Sequence, residues 1–347
     1  MSKDTEVESW TSQADTSARD RGAAVESKNR VSTRTKVLAI VFGILSLFLL
    51  YLVVQYVYCK LYPLECLDVM GRTALEKQGF TPRMVAVDDV VLRVWDSGGA
   101  GQPMVLVHGQ LFSSTVFCRR AFGQTLRKLG YRLVLLDLPG HGESPAIEGE
   151  LTLGRLRELL AGFLDTEKLE RPVLVGHGLG GWLAALVALD RPEALRVLVL
   201  IEPDGIAPPG PDDPPRVPTS RKQWRAVLRK ANPRNRERTL GNGALDALLE
   251  RSRKIGLEGL YASARPGDYI GGSRLAGLQV PLALIWGEEN LLDPPADGRA
   301  LAAQVPGARF RVVPKSGSGP FVVRPASTAR VIIEVLAALK KGTEAAE

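Results

Sequence analysis

The residues with the most chemical content lie where an apolar run meets a cluster of glycines, at Val173-Leu174-Val175-Gly176-His177-Gly178-Leu179-Gly180-Gly181-Trp182. A buried strand, a sharp turn and a helix are predicted in that order, with the spacing of the nucleophile elbow G-x-S-x-G. In such an elbow the middle residue is held in a strained backbone conformation that stands its side chain alone over a pocket. Here the middle residue is Gly178, so the geometry for a nucleophile is written without its reacting atom. Serine at this turn costs roughly 1–3 kcal/mol of backbone strain, whereas glycine enters positive φ with no Cβ clash. His177 precedes the position and is expected to point away from the pocket.

The elements that must position this turn alternate between short apolar runs and longer amphipathic segments. That alternation predicts an α/β architecture with a largely parallel sheet covered on both faces. Candidate strands are Met84–Val87, Val90–Trp95, Met104–Val107, Leu133–Asp137, Val173–Gly176, Val197–Ile201, Leu282–Trp286 and Phe310–Val313. Candidate helices are Cys118–Leu129, Leu153–Leu164, Gly180–Ala188, Asp297–Gln304 and Ala326–Lys340. Between Ile201 and Leu282 a Pro-rich entry, a basic run and an amphipathic segment near Ala244–Arg253 predict an inserted helical cap at about 205–278.

From about Val85 to Leu339 the chain resembles the α/β-hydrolase fold family. The resemblance rests on Val105-Leu106-Val107-His108-Gly109-Gln110, on Asp137-Leu138-Pro139-Gly140-His141-Gly142-Glu143-Ser144, on the elbow, and on Ile285-Trp286-Gly287-Glu288, in that order. The membrane layout, Leu111-Phe112-Ser113-Ser114 and Gly130-Tyr131-Arg132 are also similar to the alpha/beta hydrolase domain-containing protein 14 subgroup, from which the long cap departs. In active members a Ser attacks, a His takes its proton and an acid orients the His. Carried onto this chain, the nucleophile falls on Gly178, the acid on Asn290 and the His on Ser318, in Gly317-Ser318-Gly319-Pro320.

His108, His141 and His177 are the only histidines, and none follows the elbow. No shift of register restores the usual base. Glu202, Asp204 or Asp293 remain as carboxylates near the acid position. His108 and Gly109 lead into the loop whose Gln110, together with Leu179, would offer backbone N–H groups to a developing oxyanion. His108 is expected to pack and bond to backbone, and Asp137 and Ser144 to be structural. The three changed positions imply a catalytically silent domain that binds a small apolar ligand or a protein partner. The alternative is an active serine-independent hydrolase of ester- or amide-like substrates, using the oxyanion hole with His108 or His177. Neither reading calls for a metal or a cofactor.

With 347 residues and 45% hydrophobic content the chain has room for one sizeable core plus appendages. Residues 1–34 are polar and aperiodic and predict a disordered arm, and 343–347 form a tail. Residues 35–59 hold the uncharged run Val37–Tyr58, about the 20 residues a helix needs to cross a bilayer. It starts too late and runs too long for a cleaved signal peptide. Lys28, Arg30, Arg34 and Lys36 before it outnumber Lys60, Arg72 and Lys77 beyond it, which favours a type II single-pass protein with a lumenal or extracellular domain.

Residues 60–80 read as a juxtamembrane connector and 81–342 as the main domain. Cys59 and Cys66 either pair or stay free, with Cys59 also placed for acylation, while Cys118 reads as a buried small side chain. The net charge of +7 is concentrated at 216–238, a surface for anionic lipid or an acidic partner, or simply a solvated helix face. No nucleic-acid-binding motif is present.

Overall fold

The computed structural model describes residues 32–210, 213–235 and 240–344. Most of the predicted arm 1–34, part of the basic run and the last three residues lie outside that range. The chain divides into two units, 1–58 and 59–347. The first is dominated by helix α1 (Thr33–Leu61), none of whose residues is buried. It is long and apolar enough to cross a membrane, a character that anchors and signal sequences share.

Within the connector expected at 60–80 lies helix α2 (Pro63–Lys77), which begins on Pro63, where the fixed φ of proline suits a first turn. Its inward residues are Leu64, Cys66, Gly71 and Leu75. A Cβ on Gly71 would stand 2.5 Å from Thr115 Cβ, so the glycine lets α2 close onto the domain. A stripe containing Gly and Cys carries little hydrophobic signal, which is why the helix reads as a linker. Cys59 and Cys66 form a disulfide that ties the end of α1 to the first turn of α2.

The domain is built on eight strands, β1 (Thr81–Val87), β2 (Val90–Asp96), β3 (Gln102–Val107), β4 (Tyr131–Leu136), β5 (Val173–Gly178), β6 (Val197–Pro203), β7 (Leu282–Gly287) and β8 (Arg309–Val313). Their order is β1-β2-β4-β3-β5-β6-β7-β8, antiparallel at β1–β2 and β2–β4 and parallel beyond. All eight predicted strands are present.

Alternate residues feed two cores, as a pleated sheet requires. On one face Val105, Val107, Val134, Leu174 and Leu198 pack with α4 (Leu153–Thr166) and α5 (Leu179–Asp190). On the other, Met104, Leu106, Leu133, Val175 and Ile285 pack with α3 (Arg120–Lys128) and α11 (Pro325–Glu344). Three helices of the inserted cap follow β6: α6 (Arg221–Ala231), α7 (Asn242–Ile255) and α8 (Leu257–Ala262). After them come α9 (Pro295–Ala303) and the short α10 (Pro320–Val323).

Candidate functional site

Strand β5 runs into α5 through Gly178, at φ 53° and ψ −121°. The elbow conformation is therefore kept, with strand, turn and helix in the predicted order. Close approach at the turn depends on Gly180, where a Cβ would lie 2.5 Å from the carbonyls of Val107 and His108. Leu179 opens α5, so its N–H has no acceptor within the helix and stays available at the mouth of the turn.

Side chains and backbone converge on Gly178 from three directions. The Asp204 amide donates to the Gly178 carbonyl at 2.9 Å, which sets Asp204 beside the turn. A Cβ at position 178 would stand 3.6 Å from Asp204 Oδ2 and 3.5 Å from Gly109 Cα. From α8, the Tyr261 hydroxyl donates to the same Oδ2 at 2.5 Å. Arg216, from the cap entry, donates through Nη1 to Asp293 Oδ1 at 2.5 Å and lies 3.7 Å from Asp204 Oδ1. Gln110 reaches across from the loop after β3, its Nε2 donating to the Arg216 carbonyl at 3.1 Å.

The electrostatics follow from this crowding. Desolvation pushes the Asp293 carboxyl up to about 6, although Arg216 pulls the other way. Desolvation, reinforced by the Asp204 charge, lifts the Tyr261 phenol well above its ordinary value, so it remains a donor. Burial works against the Arg216 charge, but Asp293 and Asp204 outweigh it and the guanidinium is held more firmly protonated. Asp293 is thus a carboxylate of near-neutral pKa that shares Arg216 with Asp204, and groups perturbed in this way gather at sites of acid–base chemistry.

The predicted site residues divide. His108 is fully buried, with Nδ1 donating to the Gly109 carbonyl at 2.7 Å and Nε2 accepting from the Leu138 amide at 3.0 Å. Burial, then the neighbouring His141, hold its pKa well below the ordinary value. With both ring nitrogens committed to backbone, His108 has no position from which to act on a substrate. His177 packs edge-on to Phe321, and its Nε2 lies 3.7 Å from Glu202 Oε2.

Asn290, at the acid position, accepts the Leu292 and Asp293 amides at 3.0 and 3.1 Å, which turns the chain so that Asp293 faces Arg216. Ser318, at the His position, donates its amide to the Ala231 carbonyl at 2.7 Å, so this turn meets cap backbone. Asp137 accepts the Ser114 and Glu143 amides, and Ser144 donates to the Asp137 carbonyl, as structural residues. Arg216 and Tyr261 were not foreseen; they come from the cap, and no spacing rule ties them to the elbow. Among the described residues no group of three His, Cys, Asp or Glu side chains is placed to hold a metal.

Helix α2 braces the loop that carries Gln110. Asp68 accepts from the Ser113 hydroxyl at 2.9 Å and from Arg251 Nη2 at 2.9 Å, and Arg251 also donates to the Leu111 carbonyl at 3.2 Å. Leu111 itself sits at φ 68°, a conformation that needs such support. Asp68→Ala is expected to cost about 1–3 kcal/mol, since charged hydrogen bonds are lost and Arg251 keeps only Glu65, at 3.8 Å, as a carboxylate partner. Urea titration of the purified chain followed by Trp fluorescence measures this, and an unchanged midpoint would exclude the brace.

Comparison with known proteins gives matches over most of this unit. The 2-hydroxy-6-oxononadienedioate/2-hydroxy-6-oxononatrienedioate hydrolase of Burkholderia vietnamiensis is 29% identical over 270 residues, covering 72% of this chain and 93% of that protein. A crystal structure of a membrane phospholipase A superposes with a TM-score of 0.66 at 21% identity, covering 86% of this chain and 99% of that one. The enol-lactonase from Burkholderia xenovorans LB400 superposes at 0.59 with 20% identity, covering 74% and 100%; these two show likeness of fold.

The expectation of a catalytically silent binding module is corrected by these matches. Similar proteins over most of the chain include hydrolases by name, and they point to an active hydrolase. The alpha/beta hydrolase family matches residues 104–331, more than half of the chain, and the chain belongs to that family.

Proposed function

We propose that the chain is a serine-independent hydrolase of ester- or amide-like substrates in which Asp204 activates water above Gly178. The observation that supports this reading is the placing of Asp204 Oδ2, 3.6 Å from where a side chain would begin at position 178 and bonded to Tyr261. A substrate carbonyl set over Gly178 directs its oxygen to the N–H groups of Leu179 and Gln110. Water bound to Asp204 attacks the carbonyl carbon and gives a proton to the carboxylate as the C–O bond forms. Collapse of the tetrahedral adduct breaks the bond to the leaving group, which takes that proton from Asp204. Tyr261 orients the carboxylate, and the Arg216–Asp293 pair sets the charge beside it. Asp204 thus takes the role of base expected of His108 or His177. The similar proteins' names place oxo-acids and enol-lactones among the carbonyl compounds to try first.

We also infer that α1 is a type II anchor, with its basic flank cytoplasmic and the hydrolase unit lumenal or extracellular. The Cys59–Cys66 disulfide supports an oxidising compartment for that unit.

Purified full-length chain is expected to hydrolyse p-nitrophenyl esters or an enol-lactone, with turnover insensitive to a fluorophosphonate. Rates no higher than the uncatalysed background would overturn the proposal. The pH profile provides a second test. Asp293, raised to about 6 by desolvation, loses its charge as pH falls through that value. Arg216 then loses its ion-pair partner beside the site and its position is no longer fixed, so kcat/KM declines on the acid side of about 6. In Asp293→Asn that limb disappears from the profile; its persistence would assign it elsewhere.

A further inference from the structure

Helix α6 carries a one-sided charge that the hydrolase reaction does not use. Trp224, Val227 and Ala231 are buried, while Arg221, Lys222, Arg229 and Lys230 face solvent. Arg221 is paired with Asp246 and Arg229 donates to the Arg225 carbonyl, but among the described residues neither Lys222 nor Lys230 forms an ion pair with a carboxylate. The place of this face in the fold gives it a partner. Arg225 donates to Asn242 Oδ1 at 2.5 Å, and the adjoining Gly243 stands against the Lys60 carbonyl, 4.0 Å from where its Cβ would be. Lys60 is two residues from Tyr58, the end of the apolar run, and the Cys59–Cys66 disulfide fixes this stretch to α2. On α2, Leu67 and Met70 are 58% and 62% exposed, three residues apart and so on one side of the helix.

We propose that the outer face of α6, flanked by Leu67 and Met70, rests on the anionic headgroups of the leaflet from which Cys59 emerges. The inference rests on the reading of α1 as an anchor, and not on which side of the membrane the hydrolase unit occupies. Cations within a Debye length of an anionic surface are drawn to it, and apolar side chains beside them seat in the headgroup region. A solvated helix face has no such reason to gather its cations next to the chain's own exit point.

The full chain is reconstituted into discs of phosphatidylcholine alone or of phosphatidylcholine with phosphatidylglycerol. Acylation rates of Lys222 and Lys230 are then read by mass spectrometry with a neutral amine reagent. Both lysines are expected to react several-fold more slowly in the anionic discs, with the difference erased by high salt and reduced in Arg221→Gln/Arg229→Gln. Equal rates in the two discs would overturn the docking while leaving the anchor in place. Alkaline carbonate extraction separates the two readings: a chain released from membranes would overturn the anchor, and the docking with it.

Discussion

Asp204→Asn is expected to lower kcat by about 10²–10⁴-fold, the usual contribution of a positioned general base, with KM little changed. The amide has the shape of the carboxylate and still accepts from the Tyr261 hydroxyl, so the wall above Gly178 stays in place. What it loses is the ability to take a proton from water. Tyr261→Phe removes the hydrogen bond at 2.5 Å that aims the carboxylate and is expected to have the smaller effect of the two. Steady-state kinetics on a p-nitrophenyl ester, with thermal unfolding as a check on the fold, provide the measurement. Full turnover in Asp204→Asn would remove Asp204 from the reaction.

That expectation depends on residues the sequence could not associate. The strands were legible because parallel strands buried on both faces read as unbroken apolar runs, such as Leu133-Val134-Leu135-Leu136. The elbow was legible because Gly176, Gly178 and Gly180 answer to local geometry. The chemistry was not, because Ser, acid and His were sought at fixed positions along the chain. Asp204 lies at the expected strand end, but its partners Tyr261 and Arg216 enter from the cap, 57 and 12 residues away in sequence. Helix α6 shows the same limit: Trp224, Val227 and Ala231 form a stripe at helical spacing, yet five basic residues within the helix obscure it. Counting what was missing at Gly178, Asn290 and Ser318 suggested silence. The fold instead brings a carboxylate, a phenol and a guanidinium to the same turn.

The largest loss of stability is expected at Glu202. It is the penultimate residue of β6, buried and at φ 45°, where a side chain is strained, and its carboxylate accepts the Gly287 amide at 2.9 Å and the Gly319 amide at 2.8 Å. These two bonds join the carboxyl end of β7 to the turn that carries Ser318, and through Ser318 to the cap at Ala231. Glu202→Ala leaves two buried amides without acceptors, each worth about 1–3 kcal/mol, and keeps the backbone strain. A total near 3–5 kcal/mol is therefore expected, at the upper end for single substitutions. Glu202→Gln keeps one acceptor but turns an N–H group toward the other amide, so it should fall between Ala and the native residue. Glu202→Gly loses the same acceptors but relaxes the positive φ, and should recover roughly 1 kcal/mol relative to Ala. Chemical denaturation of the three variants gives this order directly. Ala and Gly variants of equal stability would mean that φ 45° carries no strain, and a stable Ala variant would show that the two amides find other acceptors.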